Sequence, residues 1–302
     1  MSMSRQFLSP GIVAVTLLVG CGGIQDLTPS EHAEDVNAWR AWRLEDLTSE
    51  DSWLTLIDYH WFSGDTTTIG SGDDADIRLP RGPAHLGFFS EDDTLLTFTP
   101  APDQTGLVSA DSVWVAQSIS AFRDDDSPVT FRFEELSWFV RDFQGRRALR
   151  VRDNKNPLRT DFPGLQNFPI DPAWRLSARF EAYDPPKQFP VAIFTGGESL
   201  EESPGRVIFD VDGISYSMDV TDTSETSYFV IFSDETNRDA SYPAGRYVWF
   251  DKPEGESGPV ALDMNESYNP PCAFTDFATC PLPPRSHRIA ARVEAGELNF
   301  AK

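Results

Sequence analysis

Lysine and histidine are scarce in this chain of 302 residues, which contains four of each. Acidic residues number 48 against 25 Lys and Arg, so the formal net charge is −23. Binding to nucleic-acid phosphates needs concentrated positive charge, and this balance excludes a dedicated nucleic-acid binder. Global disorder is excluded as well, because 40% of the residues are hydrophobic and 12% are aromatic. The composition is sufficient for a core of one or two domains.

The usual catalytic and cofactor signatures are missing. The sequence has no Gly-x-Ser-x-Gly elbow, no P-loop, no His-Glu-x-x-His motif and no dinucleotide-binding fingerprint. Its histidines lie far apart and without metal-binding spacing: His32, His60, His85 and His287. We therefore expect no metal ion and no cofactor, and we interpret His32 as a solvated residue on the surface of a helix.

The apolar stretch 11–19 is too short to cross a bilayer, which takes about 20 residues. It follows a single basic residue, Arg5, and ends in Leu18-Val19-Gly20-Cys21. This is the layout of a signal peptide, and its last four residues resemble a bacterial lipobox. The resemblance implies cleavage before Cys21 and a diacylglycerol on its sulfur, built from fatty acids such as palmitate. The alternative is an ordinary secretory signal with an accidental cysteine.

The signal peptide predicts a location in the cell envelope. We expect residues 1–20 to be removed and residues 21–30 to form a polar tether to the membrane. Gly22, in place of Asp, after Cys21 favours the outer membrane over the outer face of the cytoplasmic membrane. In both cases the globular part is periplasmic or extracellular.

The cysteine count supports a disulfide in that compartment. If Cys21 carries lipid, Cys272 and Cys280 remain as an even pair in oxidising surroundings. A disulfide that closes so short a loop would stabilise the fold by about 2.5 kcal/mol. The alternative is a catalytic or metal-binding thiol.

The mature chain contains one convincing helix, at residues 31–47. Acidic residues occupy its first turn, and Val36, Trp39, Arg43 and Leu47 fall on one face. Downstream, about fifteen short β-branched or aromatic runs predict strands. The expected fold class is all-β, of sandwich or barrel type, with one N-terminal helix.

Prolines interrupt the strand pattern around residues 154–172, which predicts two packed β subdomains. We assign residues 31–165, with the helix, to the first subdomain and residues 166–302 to the second. The segment between Glu181 and Gly205 is rich in Pro, Gly and Glu. It predicts turns and loops around one short strand, Val191–Thr195.

The segment 263–284 has an unusual sequence, DMNESYNPPCAFTDFATCPLPP, and EAGE follows at 294–297. It resembles the signature of domain of unknown function family 1684. Shorter upstream pieces, among them 149–153 and 234–236, also resemble this family, so the resemblance spans roughly residues 39–299. It implies no activity, because the family has none established. Many members look like exported lipoproteins, which agrees with a lipidated Cys21.

Residues 68–80, TIGSGDDADIRLP, resemble the opening of a forkhead-associated domain, a β-sandwich that binds phosphothreonine. In that family an arginine after the first glycine and a Ser-x-x-His motif hold the phosphate. Here Ser71 replaces the arginine, and the segment that ends at His85 lacks the serine. The resemblance therefore implies a β-sandwich but puts phosphopeptide binding in doubt.

Two groups of polar residues are candidates for a binding pocket. Residues 141–159 hold seven of the 25 basic residues, and strand alternation places Arg150 and Arg152 on one face. Two guanidinium groups so placed can hold a carboxylate or a phosphate, and pairing with neighbouring acids is the alternative. The second group lies in and near the C-terminal motif: Asp234, Arg246, Asp263, Asn265, Tyr268 and Asn269.

We expect Arg246 to neutralise Asp234 or Asp263, and we expect Asp263 and Asn265 to project from one face of a strand. These residues can form a pocket wall or a buried hydrogen-bond network that braces an irregular loop. The favoured function is an exported, lipid-anchored envelope protein with a binding or structural role. Its expected partners are the membrane and a small anionic ligand. The alternative is a hydrolase-like enzyme with a site at residues 263–280 and an arginine anion grip.

Overall fold

The computed structural model describes residues 26–91, 95–102, 106–109, 115, 117–123, 127–143, 146–221 and 224–300. The predicted signal peptide, Cys21 and the first half of the tether lie outside the described residues. The chain forms two compact units. One is Asp46–Pro163, and the other joins the described residues up to Glu45 to those from Gly164 onward.

Helix α1 spans Pro29–Thr48 and confirms the helix predicted at 31–47. A capping box at its start satisfies two backbone donors. The N–H of Thr28 donates to Glu31 Oε2 at 2.8 Å, and the N–H of Glu31 donates to Thr28 Oγ1 at 3.3 Å. Among the described residues no helix is both long and apolar enough to cross a bilayer.

The predicted packing face of α1 is buried, since Val36, Trp39, Arg43 and Leu47 are each at most 7% exposed. His32 lies on the same face and is 3% exposed, so its interpretation as a solvated residue is wrong. The prolines around 154–172 predicted that the helix belongs to the subdomain that ends at 165. In the structure α1 as far as Glu45 belongs to the unit that contains the C-terminal residues.

The unit Asp46–Pro163 is built from short strands and a helix, α2 (Pro157–Thr160). Its strands, among the described residues, are β1 (Leu56–Trp61), β2 (Thr66–Gly70), β3 (Ile77–Arg78), β4 (Gly87–Glu91), β5 (Leu96–Pro100), β6 (Leu107–Ser109), β7 (Ile119–Ser120), β8 (Phe131–Phe133), β9 (Leu136–Phe143) and β10 (Arg146–Asp153). They form two sheets, with strand orders β1-β10-β9-β8-β6 and β3-β2-β4-β5-β7. Phe89 and Phe98 of the second sheet pack with Trp138 of the first, so one core serves both sheets.

The forkhead-associated-like segment 68–80 contributes β2 and β3, which pair in parallel through Ile69 and Ile77. Its relation to forkhead-associated domains stays a prediction.

The other unit contains β11 (Arg175–Ala192), β12 (Glu198–Val211), β13 (Ile214–Asp219), β14 (Ser227–Phe232), β15 (Arg246–Asp251) and β16 (Gly258–Asp263). One sheet has the order β13-β12-β11-β16, and β14 pairs with β15. Phe180 and Val207 of the first pack with Phe232 and Val248 of the second in one core. The predicted all-β class with one N-terminal helix is confirmed.

The region predicted as loops, between Glu181 and Gly205, is instead the far end of the β11–β12 hairpin. Pairing resumes at Lys187 after an irregularity that accommodates the Asp-Pro-Pro sequence. The ladder with β16 ends at Phe180 while β11 continues to pair with β12, and a strand with one free edge tolerates proline. Phe189 and Val191 are buried against β14 and β15, which stabilises this extension.

Candidate functional site

Arg246 and Asp234 form an ion pair at the centre of their unit. Arg246 is the first residue of β15. Its Nη2 lies 3.0 Å from Asp234 Oδ1, and both side chains have zero exposure. Arg246 also donates to the carbonyl oxygens of Val293, at 2.9 Å, and Ala295. Asp234 accepts hydrogen bonds from the N–H groups of Val293 and Thr236 at 2.9 and 3.1 Å. The pair therefore ties the C-terminal segment to β15.

Burial lowers the pKa of Arg246, and the charge of Asp234 opposes this effect. Of the two predicted partners, Asp234 is the one that contacts Arg246. A guanidinium group so enclosed is placed to hold the fold together.

Asp263 and Asn265 lie at the end of β16. Asp263 is the last residue of the strand and caps a 3₁₀ turn, Met264–Glu266, so Asn265 is in a turn and the predicted strand arrangement is wrong. Asn265 Nδ2 donates to Asp263 Oδ1 and to the carbonyl oxygen of Asp171, both at 2.9 Å. The other carboxylate oxygen of Asp263, Oδ2, lies 2.5 Å from Nε2 of His32 in α1.

A second ion pair joins α1 to the C-terminus. Arg43 Nε donates to Glu297 Oε1 at 3.0 Å, with side-chain exposures of 7% and 1%. Glu297 Oε2 accepts the N–H of Asn269 at 2.8 Å, and Asn269 Nδ2 donates to the carbonyl oxygen of Leu298 at 2.7 Å. The guanidinium of Arg43 also lies 4.7 Å from the ring centre of Tyr268. Tyr268 itself accepts a hydrogen bond from Trp249 Nε1 at 2.7 Å.

The residue before Glu297, at position 296, must be glycine because of its backbone conformation and its close contacts. Its φ of 77° is in the left-handed region. A Cβ at this position would be 2.2 Å from the carbonyl oxygen of Ser267. Only glycine therefore lets the C-terminal segment approach the motif closely enough for Glu297 to reach Asn269.

Cys272 and Cys280 are both buried, and no disulfide joins them in the structure, so the predicted bond is not present. The eight-residue spacing does bring them together, because the N–H of Cys272 donates to Cys280 Sγ at 3.1 Å. The pKa of Cys280 is raised, mainly by a hydrogen bond with the Cys272 thiol and to a smaller extent by burial. Both effects favour an uncharged, unreactive thiol. The described residues hold no group of three or more His, Cys, Asp and Glu placed to bind a metal ion.

Arg150 and Arg152 belong to the unit Asp46–Pro163, not to the unit of the C-terminal motif. Aromatic rings accompany both, since the guanidinium of Arg150 is 5.4 Å from the ring centre of Trp53 and that of Arg152 is 4.7 Å from Phe139. Burial lowers the pKa of Arg152, and the charge of Asp51 opposes this effect. The carboxylate of Asp51 is engaged by Arg132.

The C-terminal residues described above also lie in a range that matches a known protein family. Residues 160–298 match the family described as Protein of unknown function (DUF1684). Over this range the chain belongs to the DUF1684 family. The match confirms the predicted membership, but it starts at 160 and not near 39, so the resemblances noted upstream of 160 lie outside it.

One solved structure, the solution NMR structure of an uncharacterized protein of Haloarcula marismortui, is 31% identical to this chain. The alignment covers 46% of this chain and 78% of that one, with a TM-score of 0.40. No curated protein matches the chain.

The DUF1684 motif therefore contributes a buried polar network that includes two residues of α1. His32, Arg43 and Glu297 were not predicted as members of this network. The available signal was the helical spacing that places His32 and Arg43 on the face of Val36 and Trp39.

His287, just after the DUF1684 prolines, is held as a neutral imidazole. Its Nε2 accepts the backbone N–H of Asp219 at 3.0 Å, so Nδ1 carries the proton and donates to the carbonyl oxygen of Ile231 at 2.9 Å. Burial lowers the pKa of His287. A protonated ring would lose the bond from Asp219.

We expect this histidine to make the fold less stable in mild acid. An unfolded histidine takes up a proton as the pH falls through about 6.5, whereas His287 in the fold does so only at lower pH. The unfolded state then binds more protons, so the free energy of unfolding falls until the pH passes below the folded pKa. Urea midpoints measured from about pH 7.5 to about pH 5.5 test this, and the decline should be smaller in His287→Gln.

The control for this measurement is His85→Gln, because the side chain of His85 is 67% exposed. It should keep the wild-type decline. A His287→Gln variant with an unchanged pH dependence would contradict the neutral imidazole.

Proposed function

We propose that the chain is an exported, lipid-anchored protein of the cell envelope that acts there as a binding or structural module. The lipobox-like sequence Leu18-Val19-Gly20-Cys21, which lies outside the described residues, supports the lipid anchor. Stable membrane anchoring takes more than one acyl chain, and a diacylglycerol on Cys21 supplies two. The polar segment 21–30 would then hold the two units in the periplasm or outside the cell.

The burial of the C-terminal motif is the observation that carries the non-enzymatic part of the proposal. Asp234, Arg246, Asn265, Asn269 and Glu297 are each at most 4% exposed. Their hydrogen-bond partners are other groups of the same unit. A hydrolase needs its acid, base and nucleophile within reach of a substrate. The motif therefore fits a bracing network better than a hydrolytic site at 263–280.

Cys21→Ser tests the anchor. The variant should not take up labelled palmitate, because no sulfur is present at the acylation site. In Triton X-114 phase separation of cell extracts, a Cys21→Ser protein whose signal peptide is removed should move from the detergent-rich phase to the aqueous phase. If the signal peptide is not removed, mass spectrometry should show that the variant keeps residues 1–20 and carries no lipid. Mass spectrometry of the wild-type protein should give an N-terminus at Cys21 with the mass of the lipid added.

Cys280→Ser is the matched control, since it makes the same chemical change at a buried thiol. It should take up label as the wild type does. If wild-type protein carries no label, or if Cys21→Ser is labelled equally, the anchor proposal is wrong.

A further inference from the structure

The far half of the β11–β12 hairpin leaves one strand edge without a neighbour. Strand β12 pairs with β11 from Glu198 onward, but its pairing with β13 on the other side begins only at Arg206. Along residues 198–203 one edge of β12 therefore faces away from the sheet. Unpaired strand edges are templates for pairing with another chain, and proteins usually block them.

The hydrogen-bond pattern of the hairpin shows which backbone groups lie on this edge. The N–H of Ile193 donates to the carbonyl oxygen of Gly197, and bonded pairs alternate with non-bonded pairs along an antiparallel ladder. The carbonyl oxygen of Ala192 points outward as this alternation requires, because it accepts the N–H of Leu282 at 2.7 Å. On β12 the residues with outward N–H and C=O groups are therefore 198, 200 and 202.

The two edges of the hairpin differ in how they are protected. The edge of β11 contains three prolines between residues 185 and 190, which have no N–H to donate, and residues 280–282 bond to its end. On the edge of β12, within the part of the chain that the structure describes, the outward backbone groups of Glu198, Leu200 and Glu202 have no hydrogen-bond partner. This edge is open to a further strand.

The side chains of the same three residues form an exposed strip. Leu200 is 63% exposed, and Glu198 and Glu202 flank it two positions away on the same face. The one basic residue in the segment 183–205 is Lys187, which pairs with Asp219 at 2.8 Å. Neither glutamate forms a salt bridge with a described residue. An incoming strand thus meets an apolar side chain between two uncompensated negative charges.

This pattern of charge selects the partner. Directly opposite residues of an antiparallel pair share a face and lie about 5 Å apart, so opposite charges attract and like charges repel. A strand fits when it carries a basic, an apolar and a basic residue at alternating positions. A second copy of this edge does not fit, because antiparallel pairing around Leu200 places Glu198 opposite Glu202. The same charges are repelled by an anionic lipid surface.

We propose that the edge of β12 at Glu198, Leu200 and Glu202 binds an extended segment of a partner protein with the pattern basic-x-apolar-x-basic, which joins the sheet as an antiparallel strand. Main-chain hydrogen bonds supply the affinity, and the two glutamates select the sequence. The net charge of −23 speeds the approach of a basic partner. The inference rests on the binding role proposed above, to which it gives a partner, and it does not depend on the lipid anchor.

Isothermal titration of the full chain at low salt tests the edge with an acetylated and amidated peptide, TKTVTKT. We expect a dissociation constant of about 0.1 mM, and binding of TETVTET at least about tenfold weaker. N-methylation of the valine removes an N–H that faces the edge in an antiparallel pair, so it should abolish binding. N-methylation of the threonine after the valine removes an N–H that faces away, so the affinity should stay within about threefold.

Charge reversal on the protein is the complementary test. Glu198→Lys and Glu202→Lys should each weaken binding of TKTVTKT about tenfold and strengthen binding of TETVTET. Glu198→Lys is the cleaner variant, because Glu202 Oε2 also accepts a hydrogen bond from Gln188 Nε2 at 3.5 Å. Both glutamates are exposed, so the variants should fold, which circular dichroism checks. The matched control is Glu254→Lys, an exposed position in the same unit, which should bind as the wild type does.

The absence of binding by TKTVTKT at about 5 mM overturns the proposal. Equal binding of the two N-methylated peptides also overturns it, because side-chain attraction alone would then hold the peptide. An equal loss in Glu254→Lys would mean that net charge alone causes binding. Failure in any of these tests leaves the lipid anchor untouched, since labelling of Cys21 is measured separately.

Two other occupants of the edge are tested on the same protein. A dimer in sedimentation equilibrium that Leu200→Ser dissociates would assign the edge to a second copy of the chain. Binding to phosphatidylglycerol vesicles that Leu200→Ser abolishes would assign it to a lipid surface. Either result overturns the proposal, and we expect a monomer that does not bind the vesicles through this edge.

Discussion

Replacing Arg246 by methionine should lower the free energy of unfolding by about 3–5 kcal/mol. Methionine keeps a long apolar side chain but removes the charge, which leaves the carboxylate of Asp234 buried without its cation. The carbonyl oxygens of Val293 and Ala295 lose a donor at the same time. Urea-induced unfolding followed by circular dichroism measures the difference.

Arg292→Met is the control for this prediction. The side chain of Arg292 is 44% exposed and pairs with Asp239 at 3.1 Å. Exposed ion pairs contribute about 0–1 kcal/mol, so this variant should be nearly as stable as the wild type. A loss below about 1 kcal/mol in Arg246→Met would show that the buried pair does not brace the unit.

Glu297→Gln should loosen the N-terminal helix. The substitution leaves the guanidinium of Arg43 buried without its carboxylate, a loss that we place at about 3 kcal/mol. Because α1 is joined to the C-terminal residues through this pair, the helix should open more often than the sheets. Amide hydrogen exchange of α1 between residues 32 and 43 should become about 100-fold faster.

The control is Glu294→Gln, which makes the same change at the first residue of the EAGE sequence. Glu294 is exposed and pairs with Arg292 at 3.0 Å, so its loss should leave exchange in α1 unchanged. Equal exchange rates in α1 for Glu297→Gln and the wild type would mean that the ion pair does not hold the helix.

Local patterns in the sequence predicted the features that depend on nearby residues. The spacing of Val36, Trp39 and Arg43 predicted the buried face of α1, because a helix repeats every 3.6 residues whatever it packs against. Alternation along β10 likewise predicted that Arg150 and Arg152 share a face. The pairing of Arg246 with Asp234 could be anticipated because the two residues are only 12 positions apart.

Features that depend on distant contacts could not be predicted in this way. His32 contacts Asp263 across 231 positions, and Arg43 contacts Glu297 across 254. Local spacing could have placed His32 on the buried face of α1, but nothing local indicates that Asp263 is its partner. The extended hairpin through Val191 was missed because its prolines favour turns locally, whereas packing against β14 and β15 decides the outcome.

The position of α1 has a consequence for the order in which the chain can fold during synthesis. Residues 46–163 are inserted between the helix and the rest of its unit. The inserted unit has its ten described strands, β1 to β10, as soon as Pro163 has emerged. By contrast Arg43 of α1 meets its partner only after Glu297 has emerged. A chain that stops before Glu297 would therefore contain the whole inserted unit but would lack the carboxylate that binds Arg43, and an incompletely packed unit of this kind is prone to misfold and aggregate.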